Sequence, residues 1–149
     1  MSLQQKVMEK IKEAMRSKDT VALESLRAIK SEILLLQTKS SDSGDLSEGD
    51  EMKIIQKLVK QRKDSAAVYT EQGREDLAAP ELAQVEVISQ FLPEQMSADD
   101  VAKVVNDIVA TVGASSMKDM GRVMGMASKQ LAGKADGKTI ADLVKAALS

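Results

Sequence analysis

Residues 113–138 read GASSMKDMGRVMGMASKQLAGKADGK and combine helix-capping residues, paired glycines and spaced cations. Ser116 can accept a hydrogen bond from a free N–H of a new helix, and Asp119 follows at the capping-box position. We therefore expect a helix to begin there. Gly133 predicts the end of the helix, because glycine adopts left-handed dihedral angles without steric cost.

Three kinds of residue recur along this predicted helix. Steps of three and four residues predict a core-facing stripe of Met117, Met120, Met124, Ala127 and Leu131. Cations on another side continue into the following turn: Lys118, Arg122, Lys129, Lys134 and Lys138. A glycine inside a helix costs about 1 kcal/mol relative to alanine. We expect the glycines here to let a ligand or another backbone approach closely, namely Gly121, Gly125, Gly133 and Gly137.

The same stretch resembles the C-terminal signature of the YqeY family. The matching residues are GASSMKDMGRVMG followed by GKADGK, and two further segments extend the resemblance over most of the chain: KQRKDS (60–65) with R-x-D-L (74–77), and FLPEQM (91–96). The family's tail domain is related to the end of the B subunit (GatB) of tRNA-dependent Asp/Glu amidotransferases. The resemblance therefore implies tRNA recognition, and a relationship to carbon–nitrogen ligases that use glutamine as amido-N donor.

Composition excludes several classes of catalytic site. The chain has no cysteine and no histidine, so it has no cysteine nucleophile, histidine base, or thiolate or imidazole metal site. The serines of 113–116 lack the base and the much larger fold that an amidase needs, so we interpret them as cap and turn residues. We expect no catalytic residue, no metal and no cofactor.

Charge and aromatic content restrict any contact with RNA. Residues 1–96 carry 14 Lys+Arg against 17 Asp+Glu, and residues 97–149 carry 7 against 6. Neither part is strongly basic, so RNA binding needs a local cationic face. Tyr69 and Phe91 are the only aromatic residues, which disfavours a stacking platform for single-stranded RNA.

Neither a signal peptide nor a membrane span is predicted. The N-terminus lacks an uninterrupted apolar core, and no apolar run approaches the roughly 20 residues that a membrane helix needs. We expect a cytoplasmic protein without a membrane partner.

The remaining periodicity predicts an all-α fold of seven helices, four before a stop at Leu92-Pro93 and three after it. The first helix runs from Leu3 to about Ser17, and a mobile loop covers residues 38–50. The other expected starts are at Asp19 or Thr20, Ser47, Asp76 after Gly73, Ser97, Ser116 and Asp136. We predict a four-helix N-terminal domain, residues 1–93, and a small three-helix C-terminal bundle, residues 97–149.

The third predicted helix carries two unusual sets of charges. Arg62 lies on its apolar stripe and needs a partner. Glu81 and Glu86 are candidate partners for Arg62 or Arg74. A secondary basic ridge consists of Lys53, Lys57, Lys60 and Lys63, and is either a solvated face or a binding surface.

These observations leave three hypotheses. The first is a non-catalytic protein that binds tRNA or another structured RNA through the cations of the C-terminal bundle. The second is an accessory subunit that docks on an amidotransferase or an aminoacyl-tRNA synthetase. The third is a protein-only interaction adaptor. RNA binding that weakens steeply with salt favours the first, whereas amidation stimulated without RNA affinity favours the second.

Overall fold

The computed structural model describes residues 2–39 and 46–149, and all regular secondary structure among them is helical. The α-helices are α1 (Leu3–Ser17), α2 (Thr20–Lys39), α3 (Glu48–Glu71), α4 (Glu75–Ser89), α5 (Ala98–Val112), α6 (Met120–Gln130) and α7 (Gly137–Leu148). A 3₁₀ turn, Met117–Asp119, precedes α6. The predicted all-α class is confirmed.

The backbone divides into two compact units, Met1–Leu92 and Pro93–Ser149. In the first unit α2 contacts α1, α3 and α4, and α3 packs along α4. In the second unit α5, α6 and α7 contact one another. Each unit buries its own apolar cluster, centred on Ile29, Ile33 and Ile88 in the first and on Val101, Val123 and Val144 in the second.

Side-chain caps begin several helices where the sequence predicts them. Asp19 accepts a hydrogen bond from the N–H of Ala22 at 3.0 Å, and Ser47 and Ser97 accept from residues three further on at 3.1 and 3.2 Å. The predicted cap at Asp76 is wrong. Its carboxylate instead receives both hydrogen bonds of the Arg74 guanidinium at 3.0 Å, and α4 begins at Glu75 without a side-chain cap.

The predicted loop at 38–50 is too long at both ends. α2 continues to Lys39, and α3 begins at Glu48. The remainder of the predicted loop, residues 40–45, lies outside the described residues.

Arg62 is half-buried, as its stripe position predicts, but its expected partners are wrong. Its Nε donates to Gln84 Oε1 at 2.8 Å and its Nη1 to the carbonyl of Leu58 at 3.2 Å, and it pairs with neither Glu81 nor Glu86. Gln84 in turn donates to Glu24 on α2 at 3.2 Å. An amide thus links the cation of α3 to an acid of α2.

The core-facing side of α6 agrees with the predicted stripe except at Met117. Ser116 Oγ accepts from the N–H of Lys118 at 3.4 Å, but the next residues form the 3₁₀ turn. That turn advances by a larger angle per residue than an α-helix, so Met117 rotates away from the core and is 45% exposed. Of the predicted stripe, Ala127 and Leu131 are buried, and Met120 and Met124 are partly buried against the same core. Val123, which the stripe omitted, is also buried.

Candidate functional site

The five predicted RNA-binding cations lie on consecutive elements of the second unit, and all five are exposed. We call them the cationic face: Lys118 in the 3₁₀ turn, Arg122 and Lys129 on α6, Lys134 in the turn after α6, and Lys138 in the first turn of α7. One member of this face, Arg122, lies 3.5 Å from the carboxylate of Asp119. Because its four lysines are exposed, a ligand can reach their ammonium groups.

Arg122 has a structural task in addition to its charge. Its Nη2 donates to the carbonyl of Val112 at 3.1 Å, at the end of α5, and approaches Asp119 Oδ1 at 3.5 Å. Asp119 also accepts from the N–H of Ser115 at 3.1 Å. The side chains of Asp119 and Arg122 together therefore hold the connection between α5 and α6. The Nε and Nη1 groups of Arg122 make no hydrogen bond among the described residues.

Gly121 and Gly125 leave an open strip beside two of these cations. A methyl group added at either glycine would meet no heavy atom within 4 Å, so packing inside the chain does not require a glycine there. At about 100° per residue, Gly125 lies between Gly121 and Arg122 around the helix, and Lys129 lies close to Arg122. The strip is flanked by charge and is not covered by the described chain.

The other two predicted close-approach glycines have different surroundings. Gly133 is buried with a φ of 76°, and its carbonyl accepts from Gln95 Nε2 at 2.6 Å. The close approach at Gly133 is therefore to a segment of the same unit, where the N–H of Met96 also donates to the carbonyl of Lys134 at 2.9 Å. Gly137 has no atom within 4 Å of an added methyl group.

The N-terminus of α7 is already partly occupied. Asp136 Oδ1 accepts from the N–H of Thr139 at 2.7 Å, so an acid of the chain takes a donor that a phosphate would otherwise use. Phosphate contact in this region therefore depends on the lysine side chains more than on the backbone N–H groups.

The secondary basic ridge is partly neutralised. Lys57 Nζ lies 3.2 Å from Glu32 on α2, and Lys60 Nζ lies 3.1 Å from Asp64. Lys53 and Lys63 form no ion pair among the described residues, and all four lysines are exposed. Their role as a binding surface stays a prediction.

Other structural features bear on catalysis and membranes. Within residues 2–39 and 46–149, no group of three or more acidic, histidine or cysteine side chains could hold a metal ion. No helix there is both long and apolar enough to cross a bilayer.

Hydrogen bonds from Arg74 lower the pKa of Asp76, and the same bonds raise the pKa of Arg74. Both groups lie on the surface at the start of α4, so this pair is a helix-end ion pair.

Sequence reasoning missed Gln95 and Asp119 as residues that shape the site. Gln95 follows the Pro93 stop and anchors the turn that carries Lys134. Asp119 joins the connection before α6 through Ser115 and Arg122. Asp119 precedes Arg122 by three residues, a spacing that predicts an ion pair on a helix. From the sequence alone, Asp119 is interpreted only as a capping-box residue.

Comparison with known proteins supports one family. A family model described as Yqey-like protein matches residues 4–148. The chain is 30% identical over 139 residues to "Altered inheritance of mitochondria protein 41, mitochondrial" of Kluyveromyces lactis, a match that covers 91% of this chain and 70% of that protein.

Two other fungal proteins of the same name are similar over shorter stretches. The protein of Vanderwaltozyma polyspora is 32% identical over 120 residues, 74% of this chain and 62% of its own. That of Clavispora lusitaniae is 33% identical over 90 residues, 60% of this chain and 51% of its own. The matches thus span about half to two thirds of these two relatives.

The names of these relatives correct one expectation. They are named as mitochondrial proteins, so the expectation of a cytoplasmic protein is wrong. The absence of an apolar signal-peptide core excludes only one kind of targeting, because mitochondrial targeting segments are amphipathic. The family model covers almost the whole chain, and with the relatives it shows that this chain belongs to the YqeY family.

Proposed function

We propose that this protein is a non-catalytic RNA-binding protein whose cationic face contacts the phosphates of tRNA or another structured RNA. The observation that carries the proposal is the open glycine strip of α6 beside Arg122 and Lys129. Two glycines cost an exposed helix roughly 2 kcal/mol together, and the packing of the chain does not account for them. The close approach of an RNA backbone to this helix would account for the two glycines.

The arrangement suits phosphates better than bases. Arg122 and Lys129 lie about two turns, or roughly 10 Å, apart along α6, so each can contact a separate phosphate of one RNA backbone. Phosphate contacts position a folded RNA by its shape and need no stacking platform. This agrees with the scarcity of aromatic residues, of which the chain has two. The four lysines act as point charges, and Arg122 adds its Nε and Nη1 donors while Nη2 holds the α5 carbonyl.

The test compares two double variants that change the net charge equally. Lys129→Ala with Lys134→Ala removes two members of the cationic face, whereas Lys103→Ala with Lys145→Ala removes two exposed lysines elsewhere in the same unit. We expect the first variant to weaken binding of a folded tRNA and to flatten its salt dependence, by at most about one unit of slope per lost contact. Equal effects of the two variants would contradict the proposal.

A glycine variant separates ligand approach from stability. Gly125→Ala should stabilise the protein by about 1 kcal/mol, because the added methyl group meets open space in a helix. We expect the same variant to weaken tRNA binding, since the methyl group stands where the phosphate backbone approaches. A more stable protein with unchanged tRNA affinity would assign the glycine strip no role in binding.

The domain division and the compartment belong to the same proposal. We propose that residues 1–93 form a four-helix domain and residues 97–149 a three-helix bundle that folds by itself. The compartment that we propose is the mitochondrion, on the names of the relatives alone. An amidotransferase or an aminoacyl-tRNA synthetase as protein partner stays a prediction of the family resemblance.

A further inference from the structure

A groove of about 370 Å³ lies between α2 and α3 of the first unit. Its lining includes two lysines of the secondary basic ridge, Lys53 and Lys57, and no residue of the cationic face. α2 lines it with Glu32, Leu35, Leu36 and Lys39, and α3 with Asp50, Lys53, Ile54 and Lys57.

The floor of the groove is apolar and incompletely covered. Ile54 is buried and Leu36 is partly buried, and both belong to the core of the unit. Leu35 is different, because 47% of its surface remains exposed. An apolar side chain placed over Leu35 would remove this surface from water, which is favourable in proportion to the area buried.

The edges of the groove keep a positive charge. Lys57 pairs with Glu32 at 3.2 Å, whereas Lys39 and Lys53 form no ion pair among the described residues. Asp50 lies in the first turn of α3, where its charge already complements the positive end of the helix dipole. The lining thus carries three lysines against two acids, and its net positive charge rests on Lys39 at the α2 edge and Lys53 at the α3 edge.

We infer that this groove binds an acidic amphipathic helix of a protein partner. Its apolar side would cover Leu35, and carboxylates on the two flanks of that side would meet Lys39 of α2 and Lys53 of α3. Helix-in-groove recognition combines the same two elements, an apolar floor and flanking complementary charge. RNA phosphates would gain nothing from the exposed leucine, and no aromatic residue lines the groove to stack a base. This site is independent of the proposed RNA contact in the second unit.

The test uses a synthetic fluorescein-labelled helix as the probe. The peptide carries leucines on one face and glutamates at one-turn intervals beside them, and it is about 18 residues long because shorter isolated helices are marginal in water. A second peptide replaces every glutamate by lysine. Fluorescence anisotropy measures the binding of both peptides to the full chain.

Two adjacent leucines give a matched pair of variants. Leu34 is as exposed as Leu35, 45% against 47%, but does not line the groove. We expect Leu35→Glu to weaken binding of the glutamate peptide about tenfold or more and Leu34→Glu to change it less than about twofold. If Leu35→Glu lowers the unfolding temperature, Leu35→Ala replaces it with the same expected direction.

Charge reversal tests the second element of the groove. The variant Lys39→Glu with Lys53→Glu should lose affinity for the glutamate peptide and gain affinity for the lysine peptide.

The inference is overturned by absence of saturable binding below ~1 mM peptide, by equal effects of the two leucine variants, or by equal binding of both peptides to the unmodified chain. Self-association of the chain that Leu35→Glu abolishes would assign the groove to a second copy, and tRNA binding that Lys39→Glu with Lys53→Glu abolishes would assign it to nucleic acid. Either result would also overturn the inference.

Discussion

Replacing Arg62 by methionine removes a half-buried guanidinium while keeping an unbranched apolar stem. Among the residues that the structure describes, that guanidinium donates two hydrogen bonds, to Gln84 Oε1 at 2.8 Å and to the carbonyl of Leu58 at 3.2 Å. The stem of an arginine packs as an apolar group, so methionine retains most of that contribution. The substitution therefore isolates the hydrogen bonds of the cation.

The expected loss of stability follows from what the substitution leaves behind. Leu58 is inside α3, where its carbonyl also accepts the regular helical hydrogen bond, and Gln84 is only partly buried and can turn to water. Neither acceptor is stranded, so each lost hydrogen bond counts at its ordinary net value of about 1 kcal/mol. We expect Arg62→Met to lower the free energy of unfolding by about 2 kcal/mol. This is less than the roughly 3–5 kcal/mol for breaking a buried ion pair.

Urea unfolding followed by circular dichroism measures the effect, with Arg27→Met as the matched control. Arg27 is an exposed cation on α2 without a side-chain hydrogen bond among the described residues, and its replacement should stay within about 0.5 kcal/mol. A double-mutant cycle of Arg62→Met with Gln84→Ala should give a coupling free energy of about 1 kcal/mol. A neutral Arg62→Met, or a cycle without coupling, would refute the reasoning. A loss above roughly 4 kcal/mol would mean that the cation has a buried carboxylate partner.

Three further predictions concern the helix ends and the second unit. Arg74→Ala should raise the pKa of Asp76 toward its ordinary value, which a carbon-13 NMR titration measures. The hydrogen bonds from Arg74 lower that pKa, so their small contribution to stability is present above about pH 4. This contribution is lost as the pH falls through the lowered pKa. Gly133→Ala should destabilise the protein by about 1–2 kcal/mol in thermal unfolding, since alanine must adopt the φ of 76°, and an unchanged midpoint would contradict this. Residues 97–149 expressed alone should give a helical circular dichroism spectrum with a cooperative thermal transition, and a fragment without one would contradict an autonomous bundle.

Local features of the sequence predicted the fold class and most helix starts. The apolar steps of three and four residues and the capping residues act within one or two turns of chain, so they need no knowledge of the partner helix. Asp19, Ser47 and Ser97 cap their helices for this reason. The residues of the cationic face could be predicted in the same way, because charged residues lie on the sides of a helix that its apolar stripe does not occupy.

The sequence by itself thus determined an all-helical chain and the family to which it belongs. Only the tertiary structure decided that Arg62 meets Gln84 instead of a glutamate, and that Arg122 bonds the end of α5. It also decided that Leu35 remains half exposed in a groove while Leu36 beside it packs on the core. Each of these outcomes depends on the distance and rotation between two helices, which the packing of many side chains sets together and which no spacing within one helix contains.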